Sequence, residues 1–175
     1  MIIWFTGLSG SGKFTLSDFL KQALEKVGFS VCQVDGDIFR QKEKKEKHFS
    51  RQDIIENNLK IISHCQAFEN DYDFMIVAVI SPYQETRDVA RKTFGKNYFE
   101  IFLNCPLEVV IKNDVKGIYK KAQSGEIKDL IGFSLESPYE IPQNRDLEIK
   151  TDKLSVGESV NMILENLQKN YGIKI

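Results

Sequence analysis

The run Ile2-Ile3-Trp4-Phe5-Thr6, followed by Gly7-Leu8-Ser9-Gly10-Ser11-Gly12-Lys13, constrains this chain more than any other stretch. A short apolar segment ends in a glycine-rich turn and a lysine. Residues 14–27 then carry Leu16, Leu20, Leu24 and Val27 at helical spacing, with Gly28 as a stop. A strand, a glycine-rich turn and a helix in that order let backbone N–H groups point inward at phosphate oxygens. The helix N-terminus adds a field that favours anions, and Lys13 adds a compact positive charge for β- and γ-phosphates. Residues 7–15 (Gly7, Leu8, Ser9, Gly10, Ser11, Gly12, Lys13, Phe14 and Thr15) are therefore expected to bind ATP, with Lys13 taking part in catalysis. One letter departs from G-x-x-x-x-G-K-[ST]: Phe14 stands where a hydroxyl would ligate magnesium.

The rest of the chain alternates between strand and helix signals. Residues 30–34 read as a second strand and 51 to about 70 as a long helix with Ile55, Leu59 and Ile62 on one face. The run 74–80 reads as a central strand buried on both faces. A helix over about 83–94, a strand over 99–105, a last strand over 147–151 and a last helix over 155–169 follow. This order predicts a single α/β domain over 1–175, a doubly wound and mostly parallel sheet with flanking helices. The polar region 112–145, with Gly117, Gly125, Gly132 and several lysines, suits a mobile lid that closes on phosphates. The charged run 41–48 reads as a solvated face or loop.

Composition narrows the class further. With 24 Lys and Arg against 25 Asp and Glu, the net charge of -1 argues against a nucleic-acid partner. Three cysteines in apolar runs, with no C-x-x-C pair, suit reduced buried thiols, and only two histidines make a zinc site unexpected. The apolar N-terminus is too short for a signal segment, and no run approaches a membrane span. A cytoplasmic protein is expected.

Two further clusters fall at the C-terminal ends of predicted strands, where parallel sheets bind ligands. In Val34-Asp35-Gly36-Asp37-Ile38-Phe39-Arg40, Asp35 suits holding magnesium through water. Asp37 suits accepting the proton of a substrate hydroxyl, and Arg40 suits meeting a substrate phosphate. In Ile80-Ser81-Pro82-Tyr83, Arg87 and Arg91 follow on one helix face, and pairing with anionic ligand groups is the expectation.

Taken together, GLSGSGK, DGDxxR, FS followed by ENN, ISPY with two arginines, DVKGIYKKAQSGEIK and SPYE-x-P resemble the adenylylsulfate kinase family over nearly the whole chain. The lid block is the most specific of these. The resemblance implies a P-loop kinase fold and Mg²⁺-dependent transfer of the ATP γ-phosphoryl group to the ribose 3′-hydroxyl of a 5′-activated nucleotide. It places Asp37 at that hydroxyl and Asp35 with the metal, and it lines the acceptor with Arg40, Phe49, Asn57, Ile80, Ser81 and Lys116. Ser81 matches the serine that the family sometimes assigns as a phosphoserine, although in-line transfer needs positioning and charge neutralisation rather than a covalent stop. Thr15 matches the second hydroxyl of the family's loop, which touches the α-phosphate. A homodimer is the expected assembly.

The departures from the family concentrate on the acceptor side. Ile38 replaces an asparagine, and Ile54 follows Asp53 where the family has an arginine. Leu130-Ile131-Gly132 replaces F-T-G and so removes an aromatic wall for the base, with Phe133 nearby, and Asn113 replaces an arginine. Base stacking is worth ~1–3 kcal/mol, so its loss relaxes or switches base choice. Cytidine diphosphoramidate, the acceptor of related kinases in capsule phosphoramidate pathways, is therefore the leading expectation. Adenylylsulfate is the alternative, and a protein impaired in catalysis by Phe14 is a third.

Overall fold

The computed structural model describes residues 1–36, 39 and 50–174. Asp37, Ile38, Arg40, Phe49 and the 41–48 run lie outside the described residues.

Five parallel strands form one sheet in the order β2-β3-β1-β4-β5: β1 Ile2–Thr6, β2 Val31–Asp35, β3 Phe74–Ala78, β4 Tyr98–Asn104 and β5 Leu147–Lys150. The helices that lie wholly among the described residues are α1 Lys13–Lys26, α2 Arg51–Phe68, α3 Gln84–Phe94, α4 Leu107–Lys112, α5 Ile118–Gln123 and α6 Val156–Tyr171. A 3₁₀ turn, Gly95–Asn97, joins α3 to β4.

The period-two alternation of each strand splits the core into two layers. Ile3, Phe5, Ile76, Phe99 and Ile101 meet Leu16, Leu20 and Leu24 of α1 and Ile163 and Leu167 of α6. Ile2, Trp4, Met75 and Val77 face the other way and meet Ile61, Ile62 and Cys65 of α2 and Ala90 and Phe94 of α3. Central strands β1, β3 and β4 are therefore apolar at almost every position. Their one charged residue is Glu100 in β4, which is 1% exposed.

Three differences from the sequence reading have local causes. Strand β3 stops at Ala78 rather than Ile80, because the chain turns at Ser81, which has φ +43°. The region 107–123 holds two six-residue helices, α4 and α5, too short for the periodicity signal. The sheet is parallel throughout. Among the described residues, no helix is long and apolar enough to cross a membrane.

Candidate active site

The loop after β1 gets its shape from three glycines at positive φ: Gly7 (153°), Gly10 (79°) and Gly12 (93°). At Gly7 an added Cβ would lie 2.8 Å from both the Leu103 carbonyl and Ser11 Oγ, so the backbone has no room for a side chain. Gly7→Ala is therefore expected to distort the loop and weaken binding of an ATP analogue by about tenfold or more, read by titration calorimetry.

Helix α1 begins at Gly12 with no side-chain cap and no acidic residue in its first turn. Helix α6 differs, because Ser155 and Glu158 close a full capping box on it. The first N–H groups of α1 are thus left for an anion. Lys13 Nζ folds back and donates to the carbonyls of Gly7 (2.9 Å) and Leu8 (2.7 Å). Its ammonium therefore sits on the loop beside the cavity that the loop lines.

The loop opens on a cavity of about 300 Å³. Ser9, Gly10, Gly12, Lys13, Phe14 and Thr15 form one wall; Asp35 and Gly36 at the end of β2, with Ala78, Val79 and Ile80 after β3, form a second; Asp114, Val115, Lys116 and Tyr119 form the third. Sequence-predicted donor and acceptor residues thus share one space. Phe14 is 56% exposed here, its ring unsupported by the core. Tyr119 ties the short helix α5 to the loop: it is buried, its hydroxyl donates to the Ser9 carbonyl at 2.9 Å, and burial pushes its pKa up to about 12.

Not every expected residue lines this cavity. Asn57 does not, although its Oδ1 is buried with no hydrogen-bond partner among the described residues. Ser81 is 1% exposed and does not line it either, and its Oγ has no hydrogen-bond partner among the described residues. Phe133 packs edge-on against Tyr119 at 6.2 Å and lines a separate cavity of about 470 Å³ with Leu8, Phe102 and Tyr139.

Ile54, which the sequence resemblance sets against an arginine, is 5% exposed and packs with Tyr83 and Ile131 in a small apolar cluster. Two of the sequence departures are thus neighbours in space.

The reading of Arg87 and Arg91 as ligand-binding groups is corrected. Arg87 is fully buried, 3.6 Å from Glu100. Arg91 pairs with Asp146 at 2.8 Å and lies 3.6 Å from Glu100. Both arginines neutralise carboxylates inside the protein. Sequence reasoning missed this network, together with Tyr119, Tyr139 and Glu140. One signal was present: a lone glutamate inside the apolar run of β4 calls for a buried cation.

Magnesium fits the donor set in a limited way. Asp35 and Thr15 reach the loop cavity, while the described residues contain no group of three or more His, Cys, Asp or Glu that could cage a metal. Such a site suits Mg²⁺, which keeps waters and takes phosphate oxygens for most of its shell.

Sheet order, phosphate loop and returning lysine together define a P-loop fold of the phosphotransferase type. The sequence model described as Adenylylsulphate kinase matches residues 1–150. The adenylyl-sulfate kinase of Clostridium kluyveri is 41% identical over 95% of this chain and 83% of its own length. The probable adenylyl-sulfate kinase of Bacillus subtilis is 40% identical over 98% of this chain and 85% of its own. The Mycobacterium tuberculosis APS kinase CysC, solved in complex with AMPPNP and APS, superposes with a TM-score of 0.85 at 32% identity, covering 95% of this chain and 96% of that one. Shikimate kinase from Aquifex aeolicus shares the fold alone, with a TM-score of 0.59 at 16% identity. The chain belongs to the adenylylsulphate kinase family, whose members are ATP-dependent phosphotransferases acting on a hydroxyl group.

Proposed function

We propose that this protein transfers the γ-phosphoryl group of ATP to the ribose 3′-hydroxyl of adenylylsulfate. The observation that carries the reading is the shared cavity, in which the phosphate loop faces Asp35, Ile80 and Lys116 across about 300 Å³. The family membership and the names of the relatives favour adenylylsulfate over the cytidine acceptor that led the sequence expectations.

In this mechanism the loop N–H groups and the α1 N-terminus hold the phosphates. Lys13 exchanges the Gly7 and Leu8 carbonyls for the β- and γ-oxygens. Asp35 would hold a magnesium ion through water, and the ion would supply charge neutralisation for the transferring phosphate. Asp37 takes the acceptor proton, and Lys116 offers positive charge from the lid. The reaction is in-line and direct, and Ser81 contributes through its backbone rather than as a nucleophile.

Phe14 supplies no metal ligand. Phe14→Ser is expected to lower, several-fold, the magnesium concentration that gives half-maximal rate. An unchanged magnesium dependence would show that the metal is held without position 14.

A second reading has one observation in its favour. The apolar cluster of Ile54, Tyr83 and Ile131 stands where the family's arginine would offer charge, which suits an acceptor with a different 5′ group, such as cytidine diphosphoramidate. Initial rates with each acceptor at saturating Mg·ATP separate the two. Adenylylsulfate is expected to give the higher kcat/KM, and a preference for cytidine diphosphoramidate would replace the main reading with the second.

A further inference from the structure

Arg87 joins three segments that phosphoryl transfer needs in register. Nη1 donates to the Ser81 carbonyl at 2.5 Å. Nη2 donates to the Glu140 carbonyl at 2.6 Å and to Gln84 Oε1 at 2.9 Å. Nε faces Glu100 Oε1 at 3.6 Å, so the charge is balanced while two of the three hydrogen bonds go to backbone. The guanidinium also lies 5.9 Å from the centre of the Tyr139 ring. The hydroxyls of Tyr139 and Thr6 share a hydrogen bond of 2.8 Å, and Thr6 Oγ1 donates to the Ile80 carbonyl at 2.6 Å. Thr6 leads directly into the phosphate loop, Ile80 lines the cavity, and Tyr139 and Glu140 lie towards the end of the lid region.

Ser81 makes this node more than packing. It is the one non-glycine residue with positive φ (+43°) among the described residues. Such a conformation is strained for a residue with a side chain and persists only where its surroundings over-determine it. Here a buried, charged donor grips the carbonyl of the strained residue. The lid side is held twice more: Glu140 N donates to the Pro82 carbonyl at 2.9 Å, and Gln84 N donates to Glu140 Oε2 at 2.6 Å.

We propose that Arg87 is a positioning residue for the transfer: its fork fixes the Ile80-Ser81 wall and the Tyr139-Glu140 end of the lid at one distance from the phosphate loop. The proposal rests on the phosphotransfer reading. Arg87 touches neither nucleotide. It acts through two backbone carbonyls, which a lysine cannot hold in fork geometry.

Two variants test this. Arg87→Lys keeps the charge and loses the fork. Arg87→Met combined with Glu100→Gln removes both charges together, so that no uncompensated buried ion remains. Both are expected to bind a non-hydrolysable ATP analogue within about threefold of wild type. Both should lose about 10²-fold in kcat/KM for the acceptor, because small misplacements of this kind cost that much. Hydrogen exchange of the Glu140 amide should quicken at least severalfold in both. Acceptor kinetics within twofold of wild type, with only a lowered melting temperature, would overturn the proposal and leave Arg87 a stabilising residue. Should the wild-type protein phosphorylate no acceptor, the phosphotransfer reading fails first. Exchange at Glu140 still reads the clamp independently, and unchanged exchange in both variants overturns it.

Discussion

Lys13→Met is expected to lower kcat by about 10²–10³-fold, the usual cost of removing one preorganised charge from a developing transition state. The fold should survive. Nζ bonds to the Gly7 and Leu8 carbonyls beside an open cavity, where water can replace it. Steady-state rates with Mg·ATP and calorimetric binding of an ATP analogue separate two roles for Lys13. A fall in kcat with modest loss of affinity assigns it to the transferring group. A rise in KM for ATP at constant kcat would make it a ground-state binding residue.

The second large effect concerns stability. Arg87→Met alone leaves Glu100 in the core with its nearest cation removed, and breaking a buried pair in this way costs about 3–5 kcal/mol. For a domain of this size that corresponds to a melting temperature lower by roughly 10 °C. The pH dependence has a definite sign. Burial already raises the Glu100 pKa, and Arg87 is the main group opposing that rise, ahead of Arg91. Without Arg87 the pKa climbs further. A carboxyl with a raised folded-state pKa contributes stability below its ordinary value and loses it as pH rises through the raised one. The single variant should therefore fall further behind wild type at pH 8 than at pH 5, and adding Glu100→Gln should recover most of the loss. Melting curves at both pH values, by circular dichroism, check this. A deficit independent of pH would mean that Glu100 is not the charge left exposed to burial.

The sheet was legible in the sequence because its central strands are apolar on both faces, and such runs have few other uses in a chain this polar. The loop was legible because glycine positions and a lysine at fixed spacing carry its geometry directly. Arg87 and Arg91 were misread for a physical reason: spacing puts two side chains on one helix face but does not say what that face meets. Here it meets Glu100 and Asp146, which lie 13 and 55 positions further along from Arg87 and Arg91 respectively. Phe133 sits near the expected base clamp in sequence, yet it lines the neighbouring cavity, because Gly132 (φ +75°) turns the chain against Leu8. Ile54 was readable as a lost charge, but its apolar partners Tyr83 and Ile131 come from segments that only the fold brings together.

The central claim is that the two halves of the cavity serve one reaction. The most direct measurement is ³¹P NMR of a mixture of the protein, Mg·ATP and adenylylsulfate, followed to completion. The account predicts one ADP formed for each new phosphomonoester, with that phosphate on the ribose 3′ position. ATP analogue binding without any such product, from adenylylsulfate or from cytidine diphosphoramidate, would contradict it.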